Sequence, residues 1–465
     1  MKRLVLLIFA FLLTSNLSAQ VPIKRIYGPL RVSENNPRYF TNDQKKAVYL
    51  TGSHTWNNLV EMKSADGQVD FDYLEYIKWM QKSNFNFMRL WAWELLNWDT
   101  SKNQVNNPQN LTVYPHPWAR TGPDNALDGK PKFDLSKFND AYFNRLRERV
   151  QMAGEYGIYV SIMLFEGWGI QFSPNGYANH PFNPDNNING IIGDIDGDGK
   201  GIEIHSLANS DVLAIQKEYV KRVIDLVNEF DNVLYEISNE AGGLSTDWQY
   251  EMINFVKEYQ QKLPKQHPVG MTFQYKGGNN QNLFDSSADW ISPNPEGGYL
   301  DNPPLRDGSK IIVSDTDHLW GLGGNELWVW KSFFRGLNPI LMDTYDGKVL
   351  SSKSLDSDWA EPLRKSMGYT RLLANHVDLI SLKPDTVLVS SAYCLVNKGI
   401  EYLIYLPENK MVEVDLSGIT KEFTSEWFNP QLGKFIDGED IEGGDKISIT
   451  SPTGTANIIL HLLKK

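Results

Sequence analysis

The chain has 465 residues, of which 41% are hydrophobic and 22% charged, and its formal charge is −12. That length exceeds one small core and suits one large domain with a smaller one, while the balance of residue types excludes disordered and fibrous architectures. An acidic chain repels a phosphate backbone, which excludes nucleic acid as a partner and favours neutral ligands.

Residues 1–19 begin with Lys2 and Arg3, run through ten apolar residues from Leu4 to Leu13 and end on small and polar residues at Ala19. This is the pattern of a cleaved secretory signal, and the apolar run is too short for a membrane span, which needs about 20 residues. The expected location is periplasmic or secreted, with no transmembrane segment in the mature chain.

Between Ala47 and Gly347, eight apolar runs alternate with segments able to hold a helix. The runs are AVYLTGSHTW, NFNFMRLWAWE, YGIYVSIMLFEGWG, NVLYEISNEA, HPVGMTFQY, ADWISPNPEG, KIIVSDTDHLWG and NPILMDTYDG. Helical spacing is clear in FDYLEYIKWMQKS, FNRLRERVQMAGEY, SDVLAIQKEYVKRVIDLVNEF, QYEMINFVKEYQQKL and NELWVWKSFFRGL. The alternation implies parallel strands with crossover helices, and eight such units close into a (β/α)8 TIM barrel, expected over residues 20–378. The rival, a doubly wound open sheet, normally carries a glycine-rich phosphate loop after an early strand, and none is present.

Barrel sites form at the C-terminal ends of the strands, so those ends supply the candidates. The first run offers His54 and Trp56, the second Arg89, Trp91, Trp93 and Glu94, and the third Glu166 and Trp168. Apart from Arg89, each of these serves equally as a ligand contact or as ordinary packing or loop solvation. Beyond the third run, Asp194, Asp196 and Asp198 stand at positions one, three and five of a loop with Gly197 and Gly199. That spacing suits a structural calcium ion or a metal-free turn, and with His205 at position twelve the loop is not an EF-hand.

The fourth run ends Tyr235-Glu236-Ile237-Ser238-Asn239-Glu240. An Asn-Glu pair there places a carboxylic acid at the barrel mouth beside an amide, which suits proton donation to a leaving oxygen. The alternative is that Glu240 caps the following helix. Glu236, four residues earlier, reads as structural. Tyr275 ends the fifth run, Asp315 and Asp317 close the seventh with His318 and Trp320 beyond them, and Asp343 and Asp346 follow the eighth. On an extended strand, two-residue alternation would turn Asp315 and Asp317 to the same side. From residue 379 to 465 the pattern becomes short alternating runs, the signature of an antiparallel β-sandwich. Cys394, the single cysteine, lies in the first of these runs, where it reads as a buried thiol; with no partner it excludes an intramolecular disulfide and a thiolate metal cluster.

The Asn239-Glu240 ending resembles the clan A glycoside hydrolases, in which the glutamate after strand four is the catalytic acid/base. The resemblance implies that Arg89, near the end of strand two, holds the nucleophilic carboxylate, although an arginine there also serves as a barrel salt bridge. It implies a strand-seven nucleophile, usually glutamate, for which this chain offers Asp315, the better match in Ile-Val-Ser-Asp, or Asp317. On strand eight, Asp343 and Asp346 stand where many relatives place an aromatic platform. The opening RVSENNPRYFTNDQKKAVYLTGSHTW and the closing EWFNPQLGKF are similar to those of cellulase-like and apiosidase-like proteins that carry a terminal sandwich labelled collagen-binding. The resemblance thus implies an exported enzyme that cleaves a plant-type glycan with two carboxylates and requires no cofactor. A barrel that binds carbohydrate without cleaving it is the alternative, and a metal-dependent hydrolase ranks last because no His-x-His pair ends strand one.

Overall fold

The computed structural model describes residues 26–64, 70–103, 108–347, 349–350 and 359–465. The leader expected at residues 1–19 lies outside them.

Eight strands form a closed parallel barrel. They are β1 (Gly52–His54), β2 (Phe87–Leu90), β3 (Tyr159–Glu166), β4 (Val233–Asn239), β5 (Val269–Thr272), β6 (Trp290–Ser292), β7 (Ile311–Asp315) and β8 (Asn338–Met342). Closure is made by β1, where Gly52 stands opposite Ile340 on one side and Phe87 on the other. All eight residues of β3 are buried, which is why it reads as a continuous apolar run rather than an alternating one.

The helices are α1 (Tyr73–Lys82), α2 (Asp140–Glu155), α3 (Trp168–Phe172), α4 (Ser210–Val227), α5 (Thr246–Gln260), α6 (Asn280–Asp285), α7 (Thr316–Trp320), α8 (Glu326–Phe334) and α9 (Glu361–His376). Asp72, Asn139 and Asn209 open α1, α2 and α4 by accepting from backbone N–H groups that have no partner inside the helix. None of these helices is long and apolar enough to cross a membrane.

One crossover departs from the expected alternation. Residues 293–310, between β6 and β7, hold no helix, because Pro293, Pro295, Pro303 and Pro304 remove donors and Gly297, Gly298 and Gly308 adopt positive φ. Antiparallel pieces that the alternation did not announce stand above the strand ends. Glu61–Lys63, Asn110–Tyr114 and Asn97–Asp99 make a small sheet, and Trp118–Asn125 pairs with Pro131–Phe138. At the opposite end, Leu30 and Phe40 of the N-terminal segment close the floor against Leu50, Phe87, Tyr159, Trp290, Ile311 and Ile340.

The C-terminal strands are β9 (Lys383–Asp385), β10 (Cys394–Asn397), β11 (Glu401–Leu406), β12 (Met411–Asp415), β13 (Glu422–Asn429), β14 (Lys434–Asp437), β15 (Ile441–Glu442), β16 (Lys446–Thr450) and β17 (Ile458–Lys464). The main sheet runs β9-β10-β11-β17-β13-β14 with β15 added to β13, and β12 and β16 form a second, two-stranded layer. On β11, Tyr402, Ile404 and Leu406 enter the core between the layers, where the Cys394 thiol is also buried. The alternate residues Leu403 and Tyr405 point the other way, into a cluster with Trp330, Phe333 and Phe334 of α8 and Leu373 of α9. The sandwich therefore docks on the barrel through its own second face.

Candidate active site

Arg89 on β2 is the hub of the barrel mouth. Its Nε and Nη2 donate to Glu236 of β4 at 2.9 and 2.6 Å, a two-pronged pair fully inside the barrel. Nη1 donates to Asp315 at 2.9 Å and to Asp317 at 3.1 Å, and Nη2 also reaches the Asn239 amide oxygen at 2.5 Å. One guanidinium thus fixes strands two, four and seven against one another. Glu236 is structural, as expected, and Arg89 serves both the salt bridge and the carboxylates of strand seven.

Asp315 ends β7 wholly buried. It accepts from Arg89, from His54 Nε2 at 3.0 Å and from the backbone N–H of Asp317 at 2.9 Å, which makes it the N-cap of α7. Trp91 Nε1 donates to His54 Nδ1 at 2.8 Å, so the ring proton sits on Nε2 and points at Asp315. The strand does not stay extended through Asp317, because capping by Asp315 turns the chain into a helix at once. Asp317 falls in its first turn, where its side chain keeps 11% exposure and lines a cavity of about 460 Å³.

Glu240 follows β4 with a left-handed φ of 48°, rare for a residue with a side chain, and its carboxyl lines the same cavity. The turn is crowded: a Cβ on Gly167 would stand 2.3 Å from Ala241 Cα, so only glycine lets the ends of β3 and β4 approach this closely. Carboxylate oxygens of Glu240 and Asp317 lie within 4.8 Å of each other. Glu166, from the end of β3, completes a trio of acids; its oxygens accept from the N–H groups of Trp168 and Gly169 at 2.8 and 2.9 Å.

These surroundings separate the acids. Burial first, then the charges of Asp317 and Glu166, push the Glu240 carboxyl well above the usual range, against the pull of Arg89. Burial raises Asp317 to about 6, with Arg89 opposing and Asp315 adding. Burial would raise Asp315 too, but His54 and Arg89 hold it below the ordinary carboxylate range. Glu166 is raised by burial to about 8. The site therefore holds, near neutral pH, a protonated Glu240 facing an ionised Asp317.

Aromatic rings build the walls: Trp56, Trp91, Trp93, Trp98, Trp168 and Trp320, with Phe273 and Tyr275. His318 also lines the cavity, its Nδ1 on Ser292 Oγ at 2.7 Å and its Nε2 on Asn239 Oδ1 at 3.2 Å. Burial and the nearby Arg89 lower the imidazole to about 3, so it is a neutral hydrogen-bonding group.

Residues 104–276, which include Glu166 and Glu240, match a family described as "Domain of unknown function (DUF6298)". No curated protein matches the chain. Among solved structures it is similar to one titled "Glycoside hydrolase", with a TM-score of 0.60 and 12% identity over 95% of this chain and 98% of that one. It is similar also to a glycoside hydrolase family 5 protein from Bacteroides vulgatus, with a TM-score of 0.59 and 12% identity over 94% of this chain and 93% of that one. The likeness is one of fold.

Of the residues singled out from the sequence, Glu240, Asp317, Asn239, Trp56, Trp91, Trp93, Trp168, Tyr275, His318 and Trp320 meet at the cavity. Asp315, His54 and Arg89 stand behind its wall. Asp343 does not reach it: wholly buried, it accepts from Arg364 at 2.9 and 2.6 Å and pins α9 to β8. The loop of Asp194 and Asp196 also departs from expectation, because Asp198 turns to Lys200 and the third nearby carboxylate is Glu203. Asp194 accepts from the N–H groups of Gly197 and Gly199 at 3.0 and 2.8 Å. Trp98 and Phe273 also line the cavity without standing out in the sequence. Trp98 lies in the unannounced small sheet, and Phe273 lies just past β5, where only the fifth run's ending pointed to it. Glu94 supports the site from beneath, accepting from His205, His180 and the N–H of Glu166 at 2.9, 3.3 and 2.9 Å.

Proposed function

We propose that this chain is a glycoside hydrolase of the clan A type in which Glu240 is the acid/base and Asp317 the nucleophile. The observation that carries the reading is the pair itself: two buried carboxyls with oxygens within 4.8 Å of each other on the wall of a tryptophan-lined cavity, where burial raises Glu240 well above the usual range and Asp317 to about 6. Two-step retaining hydrolysis uses carboxyls about 5 to 5.5 Å apart, whereas inversion needs about 6.5 to 9.5 Å to admit water between them. The short gap supports retention.

In the first step Asp317 Oδ attacks the anomeric carbon while Glu240 passes its proton to the departing glycosidic oxygen, leaving a glycosyl ester on Asp317. In the second, the Glu240 carboxylate takes a proton from water, whose oxygen attacks the same carbon and frees Asp317. Arg89 stabilises the aspartate leaving in that step. Asp315 acts through others: it caps α7 and orients Arg89 and His54. Nothing in this chemistry passes through the Asp194 loop.

The ionised Asp317 disfavours a second carboxylate, that of a uronate, at the scissile bond, so a neutral sugar of a plant-type glycan is the proposed substrate, met outside the cytoplasm after removal of residues 1–19. Glu240→Gln tests the assignment. Turnover of glycosides with poor leaving groups should fall by at least about 100-fold, the lower range of general-acid contributions, while aryl glycosides with acidic leaving groups keep a rapid first step. Equal activity on both classes sinks it. Tight glycan binding by wild type without release of reducing ends would favour the non-catalytic barrel instead.

A further inference from the structure

Two histidines and two glutamates converge where the barrel meets the C-terminal sheet. His376 is the last residue of α9, Glu426 lies on β13, and His461 stands directly opposite Glu426 on β17. Two-residue alternation puts Glu401 of β11, Glu426 and His461 on the face that also carries Leu403, Tyr405, Phe428 and Ile459, the face docked on the barrel. His376 Nε2 lies 2.7 Å from Glu426 Oε2, and His461 Nδ1 lies 3.8 Å from the same oxygen. The nearest ligand atoms of all three residues fall within 4.8 Å of one another. Behind them the other ring nitrogen of His461, Nε2, is held by Glu401 at 2.9 Å.

We propose that His376, Glu426 and His461 form a binding site for one divalent transition metal ion, of which zinc is the natural probe. Tetrahedral zinc with bonds of about 2.0 to 2.1 Å sets its ligand atoms about 3.3 Å apart, and the two separations above lie on either side of that spacing. An ordinary ion pair needs one histidine beside Glu426. It gives no reason for a second imidazole to turn Nδ1 to the same oxygen while a buried carboxylate takes its Nε2–H. That arrangement is how metal-bound histidines are oriented. Two imidazoles select zinc, copper or nickel over calcium and magnesium. Solvent reaches the site, since the side chains of His376 and Glu426 are 40% and 29% exposed, and water completes the coordination.

Helix α9 follows β8 and runs back along the barrel, so His376 stands at the N-terminal rim, opposite the cavity. A metal there ties the last barrel helix to the sheet without touching the catalytic carboxyls. The full-length protein, stripped with EDTA and titrated with zinc chloride, should bind one equivalent per chain and show a saturable rise in melting temperature. Glu426→Gln and His376→Ala should abolish both, and the exposed position of His376 keeps that variant folded, checked by an unchanged melting temperature in EDTA. Glu401→Gln should weaken zinc about 10- to 100-fold, the cost of losing such an orienting partner. No stoichiometric zinc binding by the wild-type chain overturns the proposal. So does undiminished binding by His376→Ala and Glu426→Gln, which would put the metal elsewhere.

Discussion

Asp315 and Asp317 are two residues apart and have opposite electrostatic fates. Asp315 is wholly buried, receives three donors and stays ionised, whereas Asp317 keeps an edge in the cavity and titrates near 6. The consequence is a bell-shaped rate profile. Asp317 must be ionised to attack, so activity is lost as pH falls through about 6. Glu240 must be protonated, so activity is lost again as pH rises through its elevated value. Both limbs belong to the coupled pair. Rates measured from pH 4 to 10 should show the acid limb near 6, and Glu240→Gln should remove the alkaline limb alone; a rate that does not fall between pH 7 and 4 would point to Asp315, held below the ordinary carboxylate range, as the nucleophile. Glu240 was legible in the sequence because an Asn-Glu pair ends an apolar run. The choice between the aspartates was not, because it turns on a strand ending at Asp315, and only the cap bond to the Asp317 N–H and the shared Arg89 fix that point. Asp343 misled for a similar reason: its partner, Arg364, lies 21 residues on and carries no local signal.

Strands and long helices were legible because burial writes its period into them. Run three is apolar but for Ser161 and Glu166 and β3 is buried throughout, while α2 and α4 carry clear three- and four-residue spacing behind good caps. Shorter antiparallel pieces left little trace: Asn97–Asp99 is three residues long, yet it carries Trp98 into the cavity wall. Helix α8 shows how an element can be read correctly while its partner stays hidden. NELWVWKSFF is plainly helical, but only the structure shows that Trp330 packs on Tyr405 and Phe428 of the sheet, at ring distances of 6.3 and 5.9 Å. Trp330 is wholly buried, so Trp330→Ala should cost about 3 to 5 kcal/mol, the usual penalty for removing a large buried aromatic. Denaturant unfolding checks this; a loss below about 1 kcal/mol would mean that the barrel and sheet do not support each other.

At the scale of the molecule the parts divide the labour by position. The N-terminal segment and the apolar floor close one end of the barrel, the sandwich braces α8 and α9, and the strand ends at the other face are left free for chemistry. Within that face the cavity brings together aromatic surfaces, a neutral His318 and a carboxyl pair whose protonation is set by burial and by Arg89. The proposed mechanism has Asp317 attack and Glu240 protonate. Its most direct test is mass spectrometry of the protein after reaction with an activated 2-fluoro glycoside of a sugar it cleaves, which slows the second step and accumulates the ester. A single glycosyl adduct on the peptide containing Asp317, localised to that residue and absent from Asp317→Asn, is the expected result. An adduct on Asp315, or no adduct from a protein whose product forms with inverted anomeric configuration, would contradict it.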